Sequence, residues 1–105
     1  MKKPDQFRLL YSSPAILWDG FRQLSGILEL HEEIIHFQLH DFAFSHLSLV
    51  IPLVEIDLVE EYLIFDLAKN GLLILNKNGN RELFVMTNGP AFLRKLRSQL
   101  AMIRP

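Results

Sequence analysis

The chain contains no cysteine. That absence excludes disulfides, thiolate zinc sites and cysteine nucleophiles together. It suits a reducing compartment, so a cytoplasmic location is expected. Also missing is any lysine or arginine between Arg22 and Lys69, whereas nine of the twelve acids fall there: Glu29, Glu32, Glu33, Asp41, Glu55, Asp57, Glu60, Glu61 and Asp66. Several phosphates need several cations or oriented N–H groups, and the middle of the chain offers no such cation. Long apolar runs are absent too. The longest, Leu47 to Val54, is interrupted by Ser48 and Pro52, far short of the ~20 residues of a membrane-spanning helix. The opening "MKKPDQFRLLY" has a proline and an acid where a signal peptide needs a continuous apolar core, so no leader is expected.

What is present describes a folded domain. Half the residues are apolar and the net charge is −1, which argues against disorder. At 105 residues a single domain over 1–105 is expected. A chain of this size buries roughly two-thirds of its unfolded surface, enough for one core without staples.

Period-two patterning dominates. "FRQLSGILEL", from Phe21 to Leu30, reads as a strand, "HEE" as a turn, and "IIHFQLH" as the returning strand. In that return Ile35, Phe37 and Leu39 share one face, and His36, Gln38 and His40 the other. In "LVIPLVEIDLVE", Leu49 to Glu60, β-branched residues favour strand. Pro52 has no N–H for a ladder, so it belongs at a sheet edge, a bulge or a strand end. If the face carrying Ile51 and Leu53 ran on unbroken, Glu55 and Asp57 would follow it into the core. Burying unpaired carboxylates costs far more than bending a strand. The register must therefore flip between Leu53 and Ile56.

"KNG" at Lys69 to Gly71 reads as a turn, "LLILN" as a strand, and "NKNGN" as a hairpin turn before "RELFVM", since Asn-Gly accepts positive φ cheaply. "TNGP" then offers Asn88 or Gly89 as N-cap and Pro90 as first helical residue. Leu93, Leu96, Leu100 and Ile103 follow at helical spacing. The first twenty residues are ambiguous. "FRLLYSS" and "AILW" fit strands flanking a Ser13-Pro14 break, and Leu9 to Tyr11 fit a short helix. The fold class is α+β, mainly β: a small, strongly bent antiparallel sandwich or barrel capped by one C-terminal helix.

These residues resemble the GRAM and bacterial pleckstrin-homology-like families. The resemblance runs from Leu24 to Leu100 through "SGILELHEEIIHF", "IPLVEIDLVE", "GLLILNKNGNRELFVM" and "PAFLRKL". Ile51, Pro52, Leu53, Ile56 and Val59 stand at the positions of an IPL–x–x–I–x–x–V pattern, with Gly79 and Phe84 in the later hairpin. The resemblance implies about seven strands in a bent barrel closed by the helix. It does not imply one ligand, because such folds bind lipids, proteins or peptides.

Candidate sites are few. Arg94, Lys95 and Arg97 lie off the leucine stripe and form a basic patch for an anionic partner such as a membrane surface. Phe42 and Phe44 alternate in the connection before Leu49. Together with a free sheet edge at Pro52 they are the expected surface for a protein partner or for self-association. His31, His36, His40 and His46 fall within sixteen residues. His36 and His40, on one strand face, stand ~13 Å apart by strand rise, too far for one ion. Surface histidines and no metal site are therefore expected. The pairs Glu32-Glu33 and Glu60-Glu61 do not converge on a strand, no nucleophile or phosphate-loop motif occurs, and bases and aromatics do not interleave as in nucleic-acid binders. No catalytic residue, cofactor or nucleic-acid partner is implied. The expected role is a non-enzymatic interaction module, with anionic-membrane binding through the helix as the alternative.

Overall fold

In the computed structural model, residues 6–40, 48–63, 70–86 and 88–103 are described. They form seven strands and a helix: β1 (Leu9–Asp19), β2 (Arg22–His31), β3 (Ile34–Leu39), β4 (Leu49–Pro52), β5 (Ile56–Leu63), β6 (Asn70–Asn76), β7 (Arg81–Val85) and α1 (Gly89–Ile103). One turn of 3-10 helix, Leu53–Glu55, joins β4 to β5. The strands make one antiparallel sheet in the order β4-β3-β2-β1-β7-β6-β5. The α+β architecture expected from the sequence is the one observed.

The sheet is bent onto itself. Phe37 on β3 and Phe84 on β7 meet with ring centroids 5.3 Å apart. Their strands are three places apart in the sheet, about 14 Å if the sheet were flat. β1 provides the bend, pairing with β2 along its length but with β7 only at Ile16, Leu17 and Trp18. The space left open beside its first half receives the helix, where Tyr11 and Phe92 pack edge-on at 5.8 Å. The core is apolar, built on Leu28, Leu30, Ile35, Phe37, Ile51, Leu53, Ile56, Ile74, Phe84, Phe92 and Leu96.

The stretch around Pro52 behaves as its pattern requires. Pro52 is the last residue of β4, paired with Ile34 on one side, and no described strand pairs with the other side of β4. Ile51, Leu53, Ile56 and Val59 are buried, while Glu55, Asp57 and Glu60 are exposed. The spacing changes from two to three for local reasons. A 3-10 turn repeats every three residues, so Leu53 and Ile56 return to the same side. A β-bulge between Ile56 and Leu58 shifts the phase again and lets Val59 point inward.

Three expectations need correction. β1 has no break at Ser13-Pro14 and no helix at Leu9 to Tyr11; Pro14 lies inside the strand, opposite Ile27. Among the described residues the β7 ladder begins only at Ile16, so no described strand lacks a donor because of the missing Pro14 N–H. Asn70 and Gly71 are not a turn but the first residues of β6, paired with Leu63 and Tyr62. The helix begins a residue early. The Phe92 N–H donates to the Asn88 carbonyl, which makes Asn88 the N-cap, Gly89 the first helical residue and Pro90 the second. The hairpin turn at Asn78-Gly79 is as expected, with Gly79 at φ 92°.

Candidate functional site

Three regions hold the described residues that the sequence singles out. The first is the corner where β4 ends. The 3-10 turn turns Val54 outward, leaving it 63% exposed, while Leu53 anchors the turn by donating its N–H to the Glu33 carbonyl at 2.9 Å. Beside it Phe7, Glu33, Ile34, Pro52, Val54 and Ile103 line a pocket of about 250 Å³. Four of these six are aliphatic or proline, and one is aromatic. Among the described residues no strand pairs with the outer side of β4, whose last residue, Pro52, lines this pocket. Phe42 and Phe44 lie outside the described residues.

The second region is the outer face of α1. From Gly89 to Ile103 the helix contains three bases and no acid. At about 100° per residue, Lys95 and Arg97 stand at opposite shoulders of the exposed face with Arg94 between them. Each shoulder is engaged with the sheet. Lys95 Nζ lies 5.7 Å from the centroid of the Tyr11 ring on β1. Arg97 Nη2 donates to the Val59 carbonyl on β5 at 3.4 Å. Arg94 and Lys95 share a groove of about 490 Å³ with Leu10, Leu30, Ala91, Ser98 and Gln99. Arg97 lines a different groove, of about 360 Å³, beside Asp57 and Leu58. The bases are thus spread over the helix rather than focused on one point.

The third region is the outer face of β2 and β3. The hairpin register sets Glu29 opposite His36, and His31 lies two residues further along β2 on the same face. Glu29 Oε1 stands 2.9 Å from His36 Nδ1 and 3.2 Å from His31 Nε2. His31 is buried rather than on the surface. Its Nδ1 donates to the Phe7 carbonyl at 3.3 Å. The segment before β1 is held down here a second time, since the Arg8 N–H donates to Glu32 Oε1 at 3.1 Å. His40 is exposed and takes no part in the cluster.

Two features escaped sequence reasoning. The Glu29–His31–His36 cluster arises across a hairpin, and the distance argument from His36 to His40 looked along one strand only. Read as a three-residue turn, "HEE" sets Glu29 opposite Ile35; the turn is Glu32-Glu33 alone, and His31 stays in β2, which brings Glu29 opposite His36. Phe21 read as the start of a strand, but it is a fully exposed turn residue next to Gly20, which takes φ 60°. The hairpin that turns at Glu32-Glu33 is the second of the fold, β2–β3, and the first turns at Gly20 and Phe21, with Arg22 beside it. Among the described residues, no helix is long and apolar enough to cross a membrane.

No family model matches the sequence, and no curated protein is similar to it at a significant level. Solved structures are similar. The C-terminal domain of an unknown protein from Leishmania infantum superposes with a TM-score of 0.82 at 16% identity, over 92% of this chain and 87% of that one. The Vps36 N-terminal PH domain superposes with a TM-score of 0.74 at 15% identity, over 97% of this chain and 85% of that one. Identity this low speaks for the backbone alone. Seven antiparallel strands in one bent sheet, closed by a C-terminal helix and matched over nearly the whole chain by a PH domain, make this a pleckstrin-homology-like fold.

Proposed function

We propose that the chain is a GRAM-like interaction module of this fold, cytoplasmic and without catalytic activity, which binds a protein partner or a second copy of itself at the corner of β4. The observation that carries the reading is the juxtaposition at that corner. An exposed valine, a proline-ended strand with no described strand on its outer side and an apolar pocket of about 250 Å³ adjoin one another. An exposed apolar surface beside an unpaired strand suits docking of an extended or apolar segment. Phe42 and Phe44 precede β4 by a few residues and are assigned to the same surface on their sequence position.

Val54→Asp tests this reading against the helix. Sedimentation velocity over a concentration series, with affinity capture from the native source alongside, should show self-association or a captured protein for the unaltered chain. Val54→Asp should abolish it, and the double reversal Arg94→Glu/Lys95→Glu should leave it intact. The opposite pattern would favour the second reading, adsorption to an anionic membrane through Arg94, Lys95 and Arg97. That reading is supported by the helix's lack of any acid and by the exposure of Arg94 and Lys95 beside the larger groove.

A further inference from the structure

We infer that Glu29, His31 and His36 form a binding site for a divalent transition-metal ion of zinc type, and that the ion clamps the segment before β1 onto the β2–β3 hairpin. The inference rests on the geometry of this cluster and is independent of the docking role proposed for β4.

The three donor atoms lie within 4.8 Å of one another. Bonds of about 2.0–2.1 Å from zinc to imidazole nitrogen and carboxylate oxygen put neighbouring donors about 3.3 Å apart on a tetrahedron. Glu29 Oε1 already stands 3.2 Å from His31 Nε2 and 2.9 Å from His36 Nδ1, so two of the three edges match, and the third, between the two histidine nitrogens, has to close from no more than 4.8 Å to about 3.3 Å. Two imidazoles and one carboxylate suit zinc and its neighbours in the first transition row. Calcium and magnesium prefer oxygen alone. Three protein donors leave a fourth position for water or for a donor from a partner.

The hydrogen bonding around His31 points the same way. A carbonyl oxygen can only accept, so the 3.3 Å contact with Phe7 places the proton on His31 Nδ1. In the neutral ring Nε2 then carries a lone pair, and that lone pair faces a carboxylate oxygen. Two electron-rich atoms at 3.2 Å are held together either by a proton, on the ring or on the carboxyl, or by a metal ion. An imidazole held by a backbone carbonyl on one nitrogen, with the other presented to a carboxylate, is the arrangement that outer-shell bonds impose on metal-ligating histidines. The site is also sheltered: the His31, His36 and Glu29 side chains are 7%, 15% and 21% exposed. Phe7 belongs to both regions. Its carbonyl holds His31, and its residue lines the apolar pocket at β4. Metal binding would therefore fix the segment that walls that pocket.

The test is calorimetry with zinc chloride on the tag-free full chain after chelator treatment. Cobalt(II) absorption then reports the donor set, and thermal melts with and without metal report the coupling to folding. The unaltered chain should bind one zinc ion, gain visible cobalt bands of a low-coordinate site, and melt at a higher temperature when loaded. Glu29→Gln and His36→Ala should each lower zinc affinity by at least about 100-fold, beyond the 10- to 100-fold typical of losing an outer-shell partner. Both should also lose the metal-dependent rise in melting temperature. His40→Ala, outside the cluster, should change neither. His31 is buried, so the two less buried positions carry the test, and metal-free melts verify that both variants fold. No zinc or cobalt binding by the unaltered chain would overturn the inference and leave a proton, on the ring or on the carboxyl, between the two atoms. Binding that survives both Glu29→Gln and His36→Ala would overturn it equally.

Discussion

At the scale of single residues, the fold depends on neighbours with opposite duties. Leu53 is fully buried and Val54 is mostly exposed, though they differ by one methylene and share one 3-10 turn. Leu53→Ala should cost about 2–5 kcal/mol, the range for emptying a buried leucine site. Val54→Ala should stay within about 0.5 kcal/mol. Urea melts of the two variants measure the difference directly, and equal costs would mean that the turn does not flip the register. Gly26 makes a similar argument on β2. A Cβ there would collide with the Gln38 carbonyl oxygen and lie 2.9 Å from the Phe37 ring. Gly26→Ala should therefore destabilise by about 1–3 kcal/mol, as overpacking does. The same denaturant melts check it, and a stabilised variant would contradict the close strand approach. The need to flip at Pro52 was legible in the sequence, because burying Glu55 and Asp57 was the only alternative. The need for glycine at position 26 was not, because it arises from the Gln38 carbonyl and the Phe37 ring of β3 closing on β2, contacts across strands.

At the scale of elements, the helix stripe was legible and its docking follows from it. Phe92, Leu93, Leu96 and Leu100 are buried against the sheet. Gln99 Nε2 donates to the Glu32 carbonyl at 2.7 Å and ties the helix to the tip of the β2–β3 hairpin. Leu96→Ala should cost about 2–5 kcal/mol in a denaturant melt, and a loss of only a few tenths would mean that the helix is not docked in the core. From Leu28 to Phe37 the β2–β3 hairpin carries Glu29, Glu32 and Glu33 with two histidines, and no lysine or arginine. Calorimetry with soluble inositol phosphates at low salt should find no tight site there, and micromolar binding removed by His36→Ala would overturn this. The face alternation of β3 was legible from its period of two. The cluster on that face was not, because proximity across a hairpin depends on the register as well as on the pattern. The first strand was hidden for a different reason. Pro14 is a break signal wherever both strand edges are paired, and only the bent topology shows that no described strand pairs with the second edge of β1 at that point.

At the scale of the whole molecule, the two candidate docking surfaces are separate. The bases of α1 lie on the outer face of the helix, while the apolar corner lies where β4 ends. Charge-driven adsorption weakens as salt rises, and each base near an anionic surface is worth only about 1 kcal/mol. Co-sedimentation with anionic vesicles should therefore be weak at low ionic strength and absent at about 0.15 M salt. The most direct measurement of the docking corner is photo-crosslinking in an extract of the native source, with a photoreactive side chain at position 54 and, as control, at position 98 on the exposed helix face. Adducts to one protein, or to a second copy of the chain, should form from position 54 and not from position 98. Adducts from position 98 alone, or lipid adducts from position 98 with none from position 54, would contradict the account.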